Sequence, residues 1–150
     1  MLITKEILWT MGHRVPNHKS VCHNLHGHTY KAHITLEGKV IQKEGISDEG
    51  MVIDFSDIKT ISKNFIDNML DHGFMFYEGD EVMKEFFTKH PELKFIKVPF
   101  IPTAENIAKW LFTELRGKFV DKYNTQLKLK SITIWETPTS IVRYSPDLIS

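Results

Sequence analysis

Alternation between apolar and polar residues at positions 28–37 constrains the fold more than any other feature of the chain. The apolar members of this stretch, among them Ile34 and Leu36, fall on even positions, whereas Ile7 and Trp9 belong to an earlier row on odd positions. Successive side chains of a β-strand point to opposite faces of a sheet. The pattern therefore predicts two N-terminal strands, each with one face buried in a core.

Three histidines continue these apolar rows to the strand ends. His26 and His28 share the inward face on either side of Gly27, and His13 ends the inward row of the first strand. Three converging imidazoles predict a zinc site with one open position, which is the form of a catalytic site. In the alternative interpretation the three are core or turn histidines that form hydrogen bonds with their neighbours. The paired spacing of His26 and His28 favours metal binding. His33 has the opposite parity and is predicted to face solvent.

Length and composition indicate one domain, residues 1–150. The chain is 41% hydrophobic and 25% charged, as expected for a globular protein with its own core. A formal net charge of zero gives no reason to expect a nucleic acid partner, and no apolar run is long enough to span a membrane. A single cysteine and an N-terminus without a signal-peptide pattern predict a reducing, cytoplasmic location.

Periodicity and turn residues predict six further elements. They are a helix that starts near residue 55 and ends at residues 71–72, a shorter amphipathic segment at 81–90, a strand at 95–98, a second long helix capped by Thr103, and strands at 127–136 and 140–144. Asp54 or Ser56 is expected to cap the first helix, and Gly73 to stop it. This order predicts an α+β fold, with two long helices on one face of an antiparallel sheet.

Cys22 lies four residues before His26, in a polar loop beside the predicted zinc ion. A nearby cation favours the thiolate, which makes Cys22 a candidate base near neutral pH. In the alternative interpretation Cys22 is a fourth zinc ligand and the site is structural. Three histidines already suffice for a catalytic ion, which favours the base.

Glu136 is a candidate ligand-binding carboxylate. It shares the parity of Ile132 and Ile134, so it follows two core residues on an inward face unless the strand has already left the core. A buried carboxylate needs donors, and a ligand with two N–H groups would satisfy both of its oxygens.

Three further polar residues have both a functional and an ordinary explanation. Asp71 and His72 can form a proton-relay pair, or can simply be an exposed helix end. Glu105 lies in the first turn of the second long helix, where an acidic side chain is favoured by the helix dipole.

Six ordered motifs, spread over nearly the whole chain, resemble those of the 6-pyruvoyl- and 6-carboxy-tetrahydropterin synthase family. They are GHR at residues 12–14, CHNLHGH at 22–28, GMVIDF at 50–55, LDH at 70–72, PTAEN at 102–106 and WET at 135–137. The resemblance implies the tunnelling fold, in which the sheets of a trimer close a barrel and two trimers stack into a hexamer with active sites between subunits.

The resemblance also implies roles for individual residues. Zinc would be bound by three ligands, which are His13, His26 and His28. Cys22 would accept a proton, His72 would act as a relay partner with Asp71, and Glu136 would anchor the amino and N–H edge of a pterin ring. Thr103 and Glu105 match a segment near the pterin pocket. Arg14, His18 and Lys19 either meet a triphosphate or form a solvated basic loop.

Three residues separate Cys22 from His26, which resembles the bacterial carboxy-tetrahydropterin branch. That branch implies conversion of 7,8-dihydroneopterin triphosphate to 6-carboxy-5,6,7,8-tetrahydropterin, with release of acetaldehyde and triphosphate, in queuosine precursor biosynthesis. The alternatives are a 6-pyruvoyl-tetrahydropterin synthase, a non-catalytic zinc or pterin-binding module, and a zinc hydrolase that uses metal-bound water.

Two features depart from the family pattern. Gly12 stands where a small alanine or serine is usual, and residues 74–93 form a longer segment than in the shortest bacterial members. The first change is expected to matter little. The second is expected to alter the rim of the pocket or the contact between subunits.

Overall fold

The computed structural model describes residues 1–123 and 126–148, which contain one six-stranded sheet and three helices. In chain order the elements are β1 (Leu2–His13), β2 (His26–Gly38), α1 (Phe55–Met69), β3 (Gly73–Tyr77), α2 (Glu81–Lys89), β4 (Phe95–Val98), α3 (Ala104–Tyr123), β5 (Leu127–Trp135) and β6 (Ile141–Tyr144). The strands lie in the order β4-β3-β1-β2-β5-β6. The described residues also contain two short 3-10 helices, Val21–His23 and Pro146–Leu148.

The N-terminal hairpin follows the predicted alternation. β1 and β2 pair antiparallel along their whole length, from Leu2 opposite Glu37 to His13 opposite His26. The odd row of β1 and the even row of β2 face the core, where Tyr30 and Ile34 are fully buried. A shift of one residue would expose both rows, so burial of one face fixes the register. This register brings the histidines at the two strand ends together.

The two long helices cover the same face of the sheet, as predicted. α3 packs against β5 and β6, while α1 packs against β1 and against α3. Their buried residues join the sheet in one core, and the fully buried helix residues are Ile58, Ile66, Ile107, Ala108, Leu111 and Leu115. Burial of each such leucine or isoleucine contributes about 1.5–3 kcal/mol. The α+β prediction is therefore confirmed.

A register shift in β5 determines the face of the sheet on which Glu136 follows the strand. Its pairing with β2 shifts between Thr35 and Leu36, so that buried positions change from odd to even along the strand. Ile132 and Ile134 are then both fully buried, and Glu136 follows in the same row. The predicted inward direction of this row is confirmed.

The sequence prediction missed β3 and misplaced the end of the first helix. β3 pairs in parallel with both β1 and β4, so the sheet is mostly rather than wholly antiparallel. Gly73 does not stop the helix, because it is the first residue of β3. Instead His72 takes the left-handed conformation, with φ 57°, while its N–H donates to the Thr10 carbonyl. None of the helices in the described residues is long and apolar enough to cross a membrane.

Candidate metal centre and active site

The hairpin register places three imidazoles at one end of the sheet. His13 lies opposite His26, and His28 lies opposite Met11. The ligand nitrogens of the three histidines all lie within 4.8 Å of one another. Gly27 permits this approach, because a Cβ at that position would lie 2.9 Å from the Met11 carbonyl oxygen.

Backbone carbonyls orient two of the rings. Nδ1 of His13 lies 2.7 Å from the Pro102 carbonyl oxygen, and Nδ1 of His26 lies 2.9 Å from the Asn24 carbonyl oxygen. A carbonyl oxygen only accepts, so each Nδ1 carries the proton and donates it. Each Nε2 therefore presents a lone pair, as in histidines whose second nitrogen binds a metal.

The free ring nitrogens fit a cation. Nε2 of His13 and Nε2 of His28 are both buried and have no hydrogen-bond partner among the described residues. A buried polar atom without a partner is costly, and a bound cation would satisfy these acceptors. Three imidazole nitrogens form a donor set that suits zinc and related divalent ions. The residues thus fit a three-histidine metal site.

Burial also sets the charge of these ligands. It lowers the pKa of His13 from 6.5 to about 4, with smaller contributions in the same direction from His26 and His28. Burial lowers the pKa of His28 as well, although the negative charge of Glu136 opposes the change. Both imidazoles are consequently neutral at pH 7, which is the form that binds metal.

The Glu136 carboxylate lies at the edge of the cluster. Its Oε1 is 3.6 Å from Nε2 of His13, and its side chain is 25% exposed. That distance is too long for a hydrogen bond. The carboxylate thus faces the same space as the histidine nitrogens and is accessible to a ligand.

Cys22 lies in the loop that joins β1 to β2, within the 3-10 helix Val21–His23. Its carbonyl accepts a hydrogen bond of 2.8 Å from the N–H of Val15, and its thiol is free and partly buried. The group of described ligand atoms within 4.8 Å of one another comprises the three histidines and does not include Cys22. Cys22 is therefore not among the ligand atoms that the described fold brings together.

Asp71 and His72 pair with each other but lie away from the histidine cluster. Oδ2 of Asp71 is 2.9 Å from Nδ1 of His72, whose side chain is 81% exposed. The other oxygen accepts the N–H of Thr10 at 2.9 Å, and this bond is the main reason that the pKa of Asp71 is lowered. Thr10 precedes His13 by three residues, a separation of about 10 Å along a strand. Within one chain the pair therefore does not reach the metal ligands.

The PTAEN segment supports the site through its backbone. Oγ1 of Thr103 accepts the N–H of Asn106 at 3.5 Å as a helix cap, and Nδ2 of Asn106 donates to the Ile101 carbonyl at 2.9 Å. These bonds hold the intervening Pro102 carbonyl where His13 uses it. Glu105 is exposed on the first turn of α3. Sequence reasoning missed Pro102 and Asn24, since a carbonyl acceptor has no residue-type signature.

The loop after β1 separates the three residues that were predicted either to meet a triphosphate or to form a solvated basic loop. His18 and Lys19 are exposed, whereas Arg14 forms an ion pair with Asp80 from the segment before α2. Arg14 is therefore not part of a solvated basic loop.

Fold and site together define a small α+β protein with a three-histidine centre at the end of a β-hairpin. The family model described as 6-pyruvoyl tetrahydropterin synthase matches residues 2–147, so the chain belongs to this family. A relative from Haemophilus influenzae named 6-carboxy-5,6,7,8-tetrahydropterin synthase is 40% identical over 95% of this chain and 96% of its own length. A relative of the same name from Rickettsia bellii is 32% identical, over 93% of this chain and 96% of its own.

Solved structures support the same assignment. An uncharacterized protein from Wolinella succinogenes has a TM-score of 0.80 and 27% identity, covering 97% of this chain and 98% of that chain. The 6-pyruvoyl tetrahydropterin synthase of Caenorhabditis elegans has a TM-score of 0.61 and 26% identity, covering 97% and 96%. The fold is therefore the tunnelling fold that the sequence motifs implied.

Proposed function

We propose that the protein is a zinc-dependent 6-carboxy-tetrahydropterin synthase. It would convert 7,8-dihydroneopterin triphosphate to 6-carboxy-5,6,7,8-tetrahydropterin, releasing acetaldehyde and triphosphate. The observation that carries this proposal is the convergence of three histidines beside the Glu136 carboxylate. The names of the relatives favour the carboxy branch. The reaction would belong to queuosine precursor biosynthesis in the cytoplasm.

His13, His26 and His28 would hold the zinc ion, which supplies Lewis-acid polarisation of the substrate side-chain oxygens when bound. Cys22 would remove a proton from the adjacent C–H group as a thiolate. Glu136 would accept two hydrogen bonds from the amino and N–H edge of the pterin ring and so fix its orientation.

The relay pair would come from a second subunit. His72 is 81% exposed and its partner Asp71 is bonded to Thr10, about 10 Å along β1 from His13. A neighbouring copy could present this pair to the metal centre, where His72 would return protons to the substrate. The arrangement agrees with a hexamer of two trimers in which the sheets close a barrel. Thr103 and Glu105 would line the pterin pocket near α3.

Incubation with 7,8-dihydroneopterin triphosphate followed by mass analysis tests the proposal. We expect the carboxylated tetrahydropterin and acetaldehyde from the zinc-loaded protein and from the control His33→Ala. His33 lies on the opposite face, where it pairs with Glu6 at 2.9 Å. A protein that binds zinc fully but gives neither product would contradict the proposal.

The same assay separates the alternatives. A 6-pyruvoyl-tetrahydropterin product without acetaldehyde would assign the chain to the other branch, which the Caenorhabditis elegans neighbour represents. Pterin binding without turnover would indicate a non-catalytic module, and X-ray absorption would then show sulfur bound to the metal if Cys22 closes the site. A zinc hydrolase would give the inward Glu136 no purpose.

A further inference from the structure

β3 and α2 form a second, smaller core beside the metal ligands. We call residues 74–93, which include most of β3 and all of α2, the α2 segment. Its buried core residues are Phe76, Met83 and Phe87, against which Phe74 packs. β3 pairs with the end of β1, with Phe74 opposite Gly12 and Met75 opposite His13. The α2 segment therefore lies directly beside the strand that supplies a metal ligand.

Phe74 fills the space beside Gly12. A Cβ on Gly12 would lie 2.6 Å from Cδ2 of Phe74, a separation that real Cβ atoms essentially never show. The aromatic ring thus occupies the volume that a methyl group at this position would need. Gly12 and the longer segment that contains Phe74 are the two departures from the family pattern. They contact each other next to His13.

A buried ion pair makes a second connection. Nε of Arg14 lies 2.8 Å from Oδ2 of Asp80, and the two side chains are 17% and 2% exposed. The contact is an ion pair, and among the residues that the structure describes neither of these two atoms has a hydrogen-bond partner. Oδ1 of Asp80 accepts the N–H of Met83 at 3.3 Å and caps α2. Since buried charges need partners, Asp80 ties the start of α2 to Arg14.

Arg14 lies between the metal ligand and the attachment of the thiol loop. His13 precedes it, held by the Pro102 carbonyl at 2.7 Å. Val15 follows it and donates its N–H to the Cys22 carbonyl at 2.8 Å. The position of the thiol relative to the histidines therefore depends on the backbone of residues 13–15.

We propose that Arg14 and Asp80 are a positioning pair, which fixes the backbone of residues 13–15 and thereby places Cys22 relative to the metal centre. The pair acts through Val15 and His13 rather than on the substrate. For turnover this inference rests on the proposed function, whereas its effect on thiol reactivity does not. Displacement of a reacting group by about 1 Å can cost about 100-fold in rate, so partial loosening should lower kcat more than it changes KM.

Charge-neutral variants test the pair. Asp80→Asn keeps a side-chain oxygen for the helix cap, Arg14→Gln removes the partner, and the double variant removes both. The matched control is Glu85→Gln, which makes the same change of charge in an exposed α2 pair with Lys89. Cys22 is the single cysteine, so the rate of alkylation by iodoacetamide reports on its thiol alone.

In zinc-loaded protein we expect each single variant to change the alkylation rate at least threefold and to lower kcat by about tenfold, with KM within about twofold. The kcat of the double variant should be no lower than that of the less active single variant, because the two changes break one interaction. Glu85→Gln should match the parent protein. Zinc content should stay complete throughout.

A purely structural role gives a different result. If Asp80→Asn and Arg14→Gln lower only the melting temperature, while alkylation and kcat well below that temperature are unchanged, the positioning proposal is wrong. Arg14→Lys, which keeps the charge that pairs with Asp80, should restore most of the parental alkylation rate, and a change as large as that in Arg14→Gln would also overturn the proposal. If one single variant fails to fold, the other decides by the same criteria. Absence of pterin turnover in the parent would refute the proposed function instead, and the alkylation rates would still decide the role of the pair.

Discussion

Acid should destabilise the metal-free protein through His13, and the structure gives the size of the effect. Burial lowers the pKa of His13 from 6.5 to about 4. The unfolded chain therefore binds a proton on this imidazole at a higher pH than the folded chain does, and stability falls as the pH is lowered from 6.5 to about 4. A change of this size corresponds to about 3 kcal/mol of unfolding free energy. Below the pKa of His13 in the folded protein, this loss of unfolding free energy is complete.

The variant His13→Asn isolates this contribution. An asparagine amide can still donate to the Pro102 carbonyl, which His13 contacts through Nδ1 at 2.7 Å, but it does not titrate. Urea unfolding of chelator-treated protein at several pH values between 7 and 4 should show that His13→Asn loses about 3 kcal/mol less than the parent. His18→Gln, in an exposed loop, serves as the control.

Equal losses in the parent and in His13→Asn would refute the reasoning, because the buried imidazole would then contribute nothing to the pH dependence. His28, whose pKa is also lowered, should add a loss of the same sign in both proteins. The comparison between the two proteins therefore cancels it.

The other predictions concern the metal, the thiol, the carboxylate and the glycine. His26→Ala should lose zinc while His33→Ala keeps it, as measured by metal analysis after dialysis. Full zinc occupancy in His26→Ala would contradict the assignment of the three histidines as metal ligands. Cys22→Ala should keep zinc and fold but lose turnover, and metal release would instead indicate a closed site. Glu136→Gln should weaken binding of a non-reactive pterin at least ~100-fold, or roughly 3 kcal/mol, by calorimetry, and unchanged affinity would make it an ordinary strand-end residue. Gly12→Ala should cost about 1–3 kcal/mol in urea unfolding through its clash with the Phe74 ring, and an unchanged midpoint would contradict that contact.

The hairpin could be predicted because one physical requirement determined it. Each strand needed one buried face, so the parity of Trp9 and Ile34 was enough to place His13, His26 and His28 on the same side. β3 could not be predicted in this way. Residues Gly73–Tyr77 are apolar without alternation, since one face meets the main core and the other contacts α2.

Tertiary partners were the other part that the sequence did not reveal. The sequence predicted Arg14 to be either a triphosphate contact or a solvated basic residue, because Asp80, its partner, lies far along the chain. The left-handed conformation of His72 depends on the Thr10 backbone rather than on a local glycine signal. The positions of these residues follow from packing, which a local pattern does not encode.

Burial of the histidine cluster links metal binding to stability. The same desolvation that keeps His13 neutral, and so able to bind a cation, leaves its Nε2 without a partner inside the described protein. A bound metal removes that cost and adds its own binding energy, since only the folded hairpin brings the three ring nitrogens within 4.8 Å. At a free metal concentration of about 1,000 times Kd the gain is about 4 kcal/mol. The metal ligands are therefore placed where folding and ion binding reinforce each other.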